Sequence, residues 1–149
     1  MAQTHLSLFV HLVFHTEGNR LSIKEEWRTQ LHAYLGGCIR TAGCVPLAVG
    51  GTHDHVHVLM GFRSIHVLAD VIRDIKVASS KWVHQEIGNK LFGWQGGFGA
   101  FTVSPSHVDR VKGYIANQME HHQLRTLEEE YVEMLEAAGV EYDAQYLWK

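Results

Sequence analysis

Cys44-Val45-Pro46-Leu47-Ala48-Val49-Gly50-Gly51-Thr52-His53-Asp54-His55-Val56-His57-Val58-Leu59-Met60 decides how the rest of the chain is read. Two short apolar runs, Cys44 to Val49 and His55 to Met60, flank Gly50-Gly51-Thr52, the pattern of a hairpin. Strand side chains alternate between faces, so His55 and His57 share one face while Val56 and Val58 share the other. A hairpin of this kind needs a sheet to join. Upstream, His5-Leu6-Ser7-Leu8-Phe9-Val10-His11-Leu12-Val13-Phe14-His15 is rich in β-branched and aromatic residues and reads as a central strand. Downstream, the glycine-rich Gly93-Trp94-Gln95-Gly96-Gly97-Phe98-Gly99 leads into a strand from Ala100 to Ser104.

Helical periodicity fills the gaps. Ser22 followed by Glu25 reads as a capping box. Behind it Trp27, Leu31, Tyr34, Leu35, Cys38 and Ile39 recur at helical spacing, with Gly36-Gly37 weakening that helix and Gly43 ending it. Leu68, Val71, Ile72, Ile75, Ser79, Trp82 and Val83 form the apolar stripe of a second long helix. A third helix is expected from Ser106, and Thr126 with Glu129 caps a last one that stops at Gly139. The order β-α-β-β-α-β, then two helices, predicts an α+β fold. It is the split βαβ arrangement (ferredoxin-like, RRM-like), an antiparallel sheet with helices on one face plus C-terminal helices. No repeat or linker divides the chain, so the expectation is a single domain over residues 1–149, with a core of about 5–122 and a helical extension of about 126–149.

With 46% hydrophobic and 19% charged residues, the 149-residue chain is globular rather than disordered. A formal charge of −3 argues against non-specific coating of nucleic acid but leaves room for a local basic groove. No apolar run is long enough for a membrane span, and Met1-Ala2-Gln3-Thr4-His5 lacks the basic start of a secretory signal. Cys38 and Cys44 suit reduced packing thiols, so a cytoplasmic setting is expected.

The 12 histidines are the oddity of the composition. His55 and His57, two apart on one strand, can ligate one metal ion from a rigid platform. A bare His-x-His is more often a polar row or a pair of satisfied core rings, because a site needs further ligands. A partner can be sought on the third helix, His107-Val108-Asp109-Arg110-Val111-Lys112-Gly113-Tyr114-Ile115-Ala116-Asn117-Gln118-Met119-Glu120-His121-His122. Its apolar stripe is Val108, Val111, Ile115 and Met119. Tyr114 and Gln118, four apart, lie together beside that stripe, half-sheltered and able to reach the sheet edge.

His55-Val56-His57, preceded by Asp54 and followed by Val58-Leu59, together with Tyr114-Ile115-Ala116-Asn117-Gln118, resembles the IS200/IS605-type transposases. These form the single-tyrosine branch of the His-hydrophobic-His endonucleases. His11-Leu12-Val13-Phe14-His15-Thr16 resembles the family's first strand, and Phe101-Thr102-Val103-Ser104 ahead of the tyrosine helix also fits. The resemblance implies a metal-dependent DNA strand transferase in which Tyr114 attacks a phosphodiester, keeps the 5′ phosphate and frees a 3′ hydroxyl. His55, His57 and Gln118 would hold Mg²⁺ or Mn²⁺. It further implies a homodimer acting on single-stranded DNA hairpins at element ends. Ser104-Pro105-Ser106 stands where some members carry a paired-glycine hinge. Placement of Tyr114 in the partner's site, or in its own as in relatives associated with repeated extragenic palindromes, therefore stays open.

Other features carry weaker readings. Arg73, Lys76, Ser80 and His84 flank the second helix and read equally as a groove for DNA phosphates or a solvated face. Trp94 and Phe98 can stack on unpaired bases, although aromatics beside glycines more often close a core edge. His121 is a candidate for the metal site, and His122, nearer the apolar stripe, a poorer one. Glu128-Glu129-Glu130 reads as a solvated helix start, and the aromatic tail Glu141 to Trp148 as a docked segment. A DNA-binding regulator without catalysis and a plain metal-binding protein are the competing functions. The first has no visibly broken motif to support it; the second leaves the Tyr114–Gln118 pair unexplained.

Overall fold

A computed structural model describes residues 2–148; Met1 and Lys149, the ends of the expected 1–149 domain, lie outside the described residues. The strands are β1 (Phe9–His15), β2 (Val45–Gly51), β3 (His55–Gly61) and β4 (Gly99–Val103), and the helices are α1 (Glu25–Thr41), α2 (Leu68–Trp82), α3 (Val108–Ala116), α4 (Gln118–Leu124) and α5 (Leu127–Ala137). The four strands form one sheet in the order β2-β3-β1-β4. Every neighbouring pair is antiparallel. This is the split βαβ order predicted above.

Alternation along β1 and β3 sorts the interior. Leu12 and Phe14 from β1 and Val56, Val58 and Met60 from β3 meet Trp27, Leu31, Leu35 and Ile39 of α1 and Val71, Ile72 and Ile75 of α2 in one apolar core. Each such side chain, once fully buried, contributes about 1.5–3 kcal/mol. On the opposite face His11, His55 and His57 are also buried, beneath α3, α4 and α5. Gly50 permits this second layer. A Cβ there would sit 2.3 Å from the backbone oxygen of Ile115, so α3 rests directly on β2.

Several local expectations are corrected. β1 begins at Phe9, not His5. The capping box at Ser22 does not form: α1 starts at Glu25 with Lys24 as its cap residue, and the Ser22 hydroxyl turns to the Arg20 carbonyl at 3.4 Å. Gly36-Gly37 leave α1 unbroken, because Gly36 is buried where the helix packs; Gly43, at φ +86°, follows its end. The third helix is not continuous to His122. It breaks at Asn117 (φ −104°, ψ 23°), which leaves Gln118 1% exposed and Met119 38% exposed, reversing the expected stripe. The expected cap of α5 is present, with the Thr126 hydroxyl accepting from the Glu129 amide at 3.1 Å. Among the described residues no helix is long and apolar enough to cross a membrane.

Candidate active site

The hairpin turn is anchored before its histidines are aimed. The Thr16 amide donates to the Asp54 carbonyl at 2.7 Å and the Ile23 amide to the His53 carbonyl at 2.9 Å. Next to these, the Thr52 hydroxyl donates to Asp54 Oδ1 at 2.9 Å, and His55 Nδ1 lies 2.8 Å from the same oxygen. Burial alone would raise the Asp54 carboxyl, but the hydrogen bond and charge of His55, with the Thr52 hydroxyl, bring it below the ordinary carboxylate range. A carboxylate on Nδ1 fixes the ring and leaves Nε2 to point into the site.

Glu130 sits at the centre of what Nε2 faces. Its two oxygens divide the work. Oε1 lies 2.9 Å from His57 Nε2, 3.1 Å from His122 Nε2 and 3.6 Å from His55 Nε2. Oε2 accepts from the Tyr114 hydroxyl in a short hydrogen bond and from Gln118 Nε2 at 3.3 Å. The amide oxygen of Gln118 faces His55 Nε2 at 3.0 Å. Ligand atoms of His55, His57, His122 and Glu130 all fall within 4.8 Å of one another. The expected ligands His55, His57 and Gln118 are therefore brought together with Tyr114, and in a single chain.

Burial disfavours charge and close partners favour it, and together they explain the pKa shifts. Burial would raise the Glu130 carboxyl; the nearby His122 ring, the hydrogen bond and charge of His57, and the Tyr114 hydroxyl hold it far below the usual range. Burial pushes the Tyr114 phenol up, and the carboxylate beside it pushes further in the same direction. His57 falls to about 4, chiefly because its charged form is desolvated. His122 Nε2 has no well-aligned hydrogen bond despite its closeness to Glu130. Such an atom, with two strand histidines and a carboxylate around it, fits a divalent cation better than it fits a hydrogen-bond network.

The model of the transposase family described as IS200-like matches residues 4–118, most of the chain. The chain belongs to the IS200-like transposase family. A transposase of Deinococcus radiodurans R1, known from a crystal structure, is similar in fold, with a TM-score of 0.64 and 22% identity over 79% of this chain and 96% of that one. A REP-associated tyrosine transposase bound to a REP hairpin is similar in fold as well, with a TM-score of 0.59 and 14% identity over 82% of this chain and 74% of that one. No curated protein matches.

Two residues of this transposase's site lie beyond the matched stretch and were misread from sequence. His122 is turned inward because the break at Asn117 rotates α4, so that Gln118 and His122, four apart, share the inner face. Glu130, expected at a solvated helix start, is 3% exposed. Its spacing of three from buried Leu127 was the available signal. His121 stacks on the Tyr114 ring at 4.7 Å.

The supporting residues meet elsewhere. Arg73, Lys76, Ser80 and Trp94 line one groove of about 620 Å³ between α2 and the glycine-rich segment, with His84 and Phe98. Most of their polar groups are already engaged. Arg73 pairs with Asp70 and Asp74 at 3.3 Å each. Lys76 donates to the Gln95 and Gly97 carbonyls, and burial brings its ammonium down to about 8. The Trp94 ring packs edge-on against Phe14 and donates to the Ser79 hydroxyl at 3.0 Å, which is the core-edge reading. The tail docks through Trp148, which meets the rings of His15 and Tyr131 at 5.0 and 5.6 Å.

Proposed function

We propose that the protein cleaves and rejoins single-stranded DNA at hairpin-bearing element ends, with Tyr114 as nucleophile. The observation that carries this is the Tyr114 hydroxyl hydrogen-bonded to Glu130 beside His55, His57 and His122. His55, His57, His122 and Glu130 would hold one divalent cation, with Gln118 as a further oxygen donor. When bound, the cation supplies charge neutralisation on the phosphate's non-bridging oxygens and eases loss of the phenol proton. A donor set rich in imidazole favours Mn²⁺ over Mg²⁺.

The chain's own residues do the rest. Tyr114 Oη forms a bond to phosphorus as the bond to the 3′ oxygen breaks. Glu130 Oε2 orients the phenol by accepting its hydrogen bond, the phenol proton leaves to water, and the departing 3′ oxygen takes a proton from water. The 5′-phosphotyrosine keeps the energy of the broken bond, so a second 3′ hydroxyl can restore the phosphodiester. His121 holds the ring in line by stacking. Because one chain gathers every group, each subunit of the expected homodimer would use its own tyrosine. The tight seating of α3 on Gly50, without a glycine hinge before it, supports that arrangement. Since α4 and α5 supply His122 and Glu130, residues 1–149 read as one domain in which the C-terminal helices belong to the site. The groove of Arg73, Lys76, Ser80 and Trp94 is a route for unpaired DNA, with Phe98 as its exposed aromatic. The similarity to a transposase bound to a REP hairpin supports hairpin DNA as substrate, and a cytoplasmic location follows from that substrate.

The test is a covalent adduct. Protein, Mn²⁺ and single-stranded hairpins from the flanks of the gene should give a protein–DNA species that survives denaturation. Tyr114→Phe should give none. An adduct persisting in Tyr114→Phe overturns the nucleophile, and no adduct with any flanking hairpin favours a DNA-binding regulator.

A further inference from the structure

His11 is buried on β1 and belongs to none of the ligand sets above, yet it hydrogen-bonds a ligand ring directly. Its Nε2 lies 2.7 Å from His57 Nδ1, with ring centroids 5.0 Å apart. It also stands edge-on to the Tyr114 ring at 6.2 Å. The register explains the reach: Val13 is the residue directly opposite His57, which puts His11 on the diagonal of the same face.

Both nitrogens of His57 are thus committed, Nδ1 to His11 and Nε2 to Glu130 Oε1 at 2.9 Å. A carboxylate only accepts, so with no cation bound His57 must carry its proton on Nε2 and donate to Glu130. Its bare Nδ1 then accepts from His11 Nε2–H. With a cation on His57 Nε2 the proton must sit on Nδ1, and His11 Nε2 must become the acceptor. We propose that His11 is a positioning residue whose hydrogen bond to His57 reverses direction when the metal is bound, which lets one buried pair satisfy both states. The inference rests on His57 being a ligand. No net charge changes in the exchange: each ring moves one proton from Nε2 to Nδ1. Apolar residues cannot serve here, and a fixed donor or a fixed acceptor would suit only one of the two states.

Two measurements on the intact chain decide it. The first uses ¹⁵N-labelled histidine and long-range ¹H–¹⁵N spectra, with His57 assigned by His57→Ala and His11 by His11→Gln. In metal-free protein His57 should be protonated on Nε2 and His11 on Nε2; saturation with Mg²⁺, which is diamagnetic, should move both protons to Nδ1. Unchanged tautomers on Mg²⁺ saturation overturn the proposal. The second is Mn²⁺ affinity by electron paramagnetic resonance. His11→Leu should bind about 10–100-fold more weakly. His11→Gln, whose amide can turn either its oxygen or its NH₂ to His57, should stay close to wild type. A purely structural role would instead lower the thermal midpoint of His11→Leu and leave its Mn²⁺ affinity intact, which counts against the proposal. If His57→Ala weakens Mn²⁺ binding and His11→Leu does not, the role of His11 is wrong and the metal centre stands. If His57→Ala also leaves the affinity untouched, the metal-centre reading fails and takes this inference with it.

Discussion

The same two strands build two unlike faces. On one, Leu12 and Phe14 of β1 meet Val56, Val58 and Met60 of β3 under α1 and α2. On the other, one residue out of step, His11 meets His57, and His55 faces Gln118 and Glu130 under α4 and α5. Both are dry. The apolar face needs only shape and volume, since dispersion and desolvation have no direction. The histidine face needs a partner for every nitrogen, and those partners come from residues 46 and 73 positions away. Stability is therefore built mainly on the first face and chemistry on the second, and substitutions should separate the two.

The largest expected effect lies on the apolar face. Phe14→Ala removes a ring with no exposed surface that packs edge-on against Trp94 at 4.7 Å. It should lower unfolding free energy by about 3–5 kcal/mol in urea titration. The Mn²⁺ affinity of the folded fraction should not change. A matched loss of affinity would mean that the faces are not independent.

Acid should attack the other face. His11 and His57 are held at about 3 and about 4 against an ordinary value of 6.5, so the unfolded chain takes up their protons first. Above pH 6.5 neither ring contributes. As pH falls from 6.5 toward 4, each ring kept neutral should cost about 1.4 kcal/mol of stability per pH unit. Glu130 is depressed, so its stabilisation is intact above its ordinary value of 4.5 and is lost as pH falls below that. Thermal midpoints in EDTA should thus decline between pH 6.5 and 4 and keep falling below. A flat midpoint from pH 7 to 5 would show that the rings are hydrated or charged.

How much of this was readable in the sequence follows the same division. Periodicity located the four strands and α1, α2, α3 and α5, because alternation and the 3.6-residue stripe record apolar burial directly, while α4 was merged with α3. The strand pair His55 and His57 was legible for the same reason, since local geometry fixes which neighbours share a face; Tyr114 and Gln118 meet instead across the break at Asn117, both on Glu130 Oε2. Glu130 and His122 were not legible. A carboxylate in a first helical turn satisfies the macrodipole whether or not it is buried, so only its spacing of three from Leu127 sets Glu130 apart from exposed Glu128 and Glu129. His122 was lost through the assumption of one continuous helix, and the break at Asn117 carries no proline or glycine to announce it. His11 is legible only as a strand residue; its partner lies 46 residues away, and only the strand register brings the two together.

Gly50→Ala sharpens the comparison at intermediate size. A methyl group there would collide with the Ile115 carbonyl, a backbone atom that cannot rotate aside. Overpacking of this kind should cost about 1–3 kcal/mol. More telling is the pattern of loss. Displacing α3 moves Tyr114, the neighbour of Ile115, while His55 and His57 remain on their strand. Adduct yield should fall while Mn²⁺ affinity holds; loss of both together would mean that α3 seats the histidines as well.

The smallest expected effect tests whether α5 is part of the site or an ornament on it. Thr126→Ala deletes the hydroxyl that accepts from the Glu129 amide at 3.1 Å, and should cost about 1 kcal/mol. The side chain is far smaller than Phe14 and carries none of its packing, so the loss of global stability should be well below that of Phe14→Ala. Fraying would instead be confined to the first turn of α5, whose residues include Glu130. Hydrogen exchange at Glu129 and Glu130 amides should quicken, and Mn²⁺ affinity should weaken with it, while Thr126→Ser restores both. An exchange rate that rises with no change in affinity would show that Glu130 is held by the histidines rather than by its helix, and the cap would then matter only to the fold.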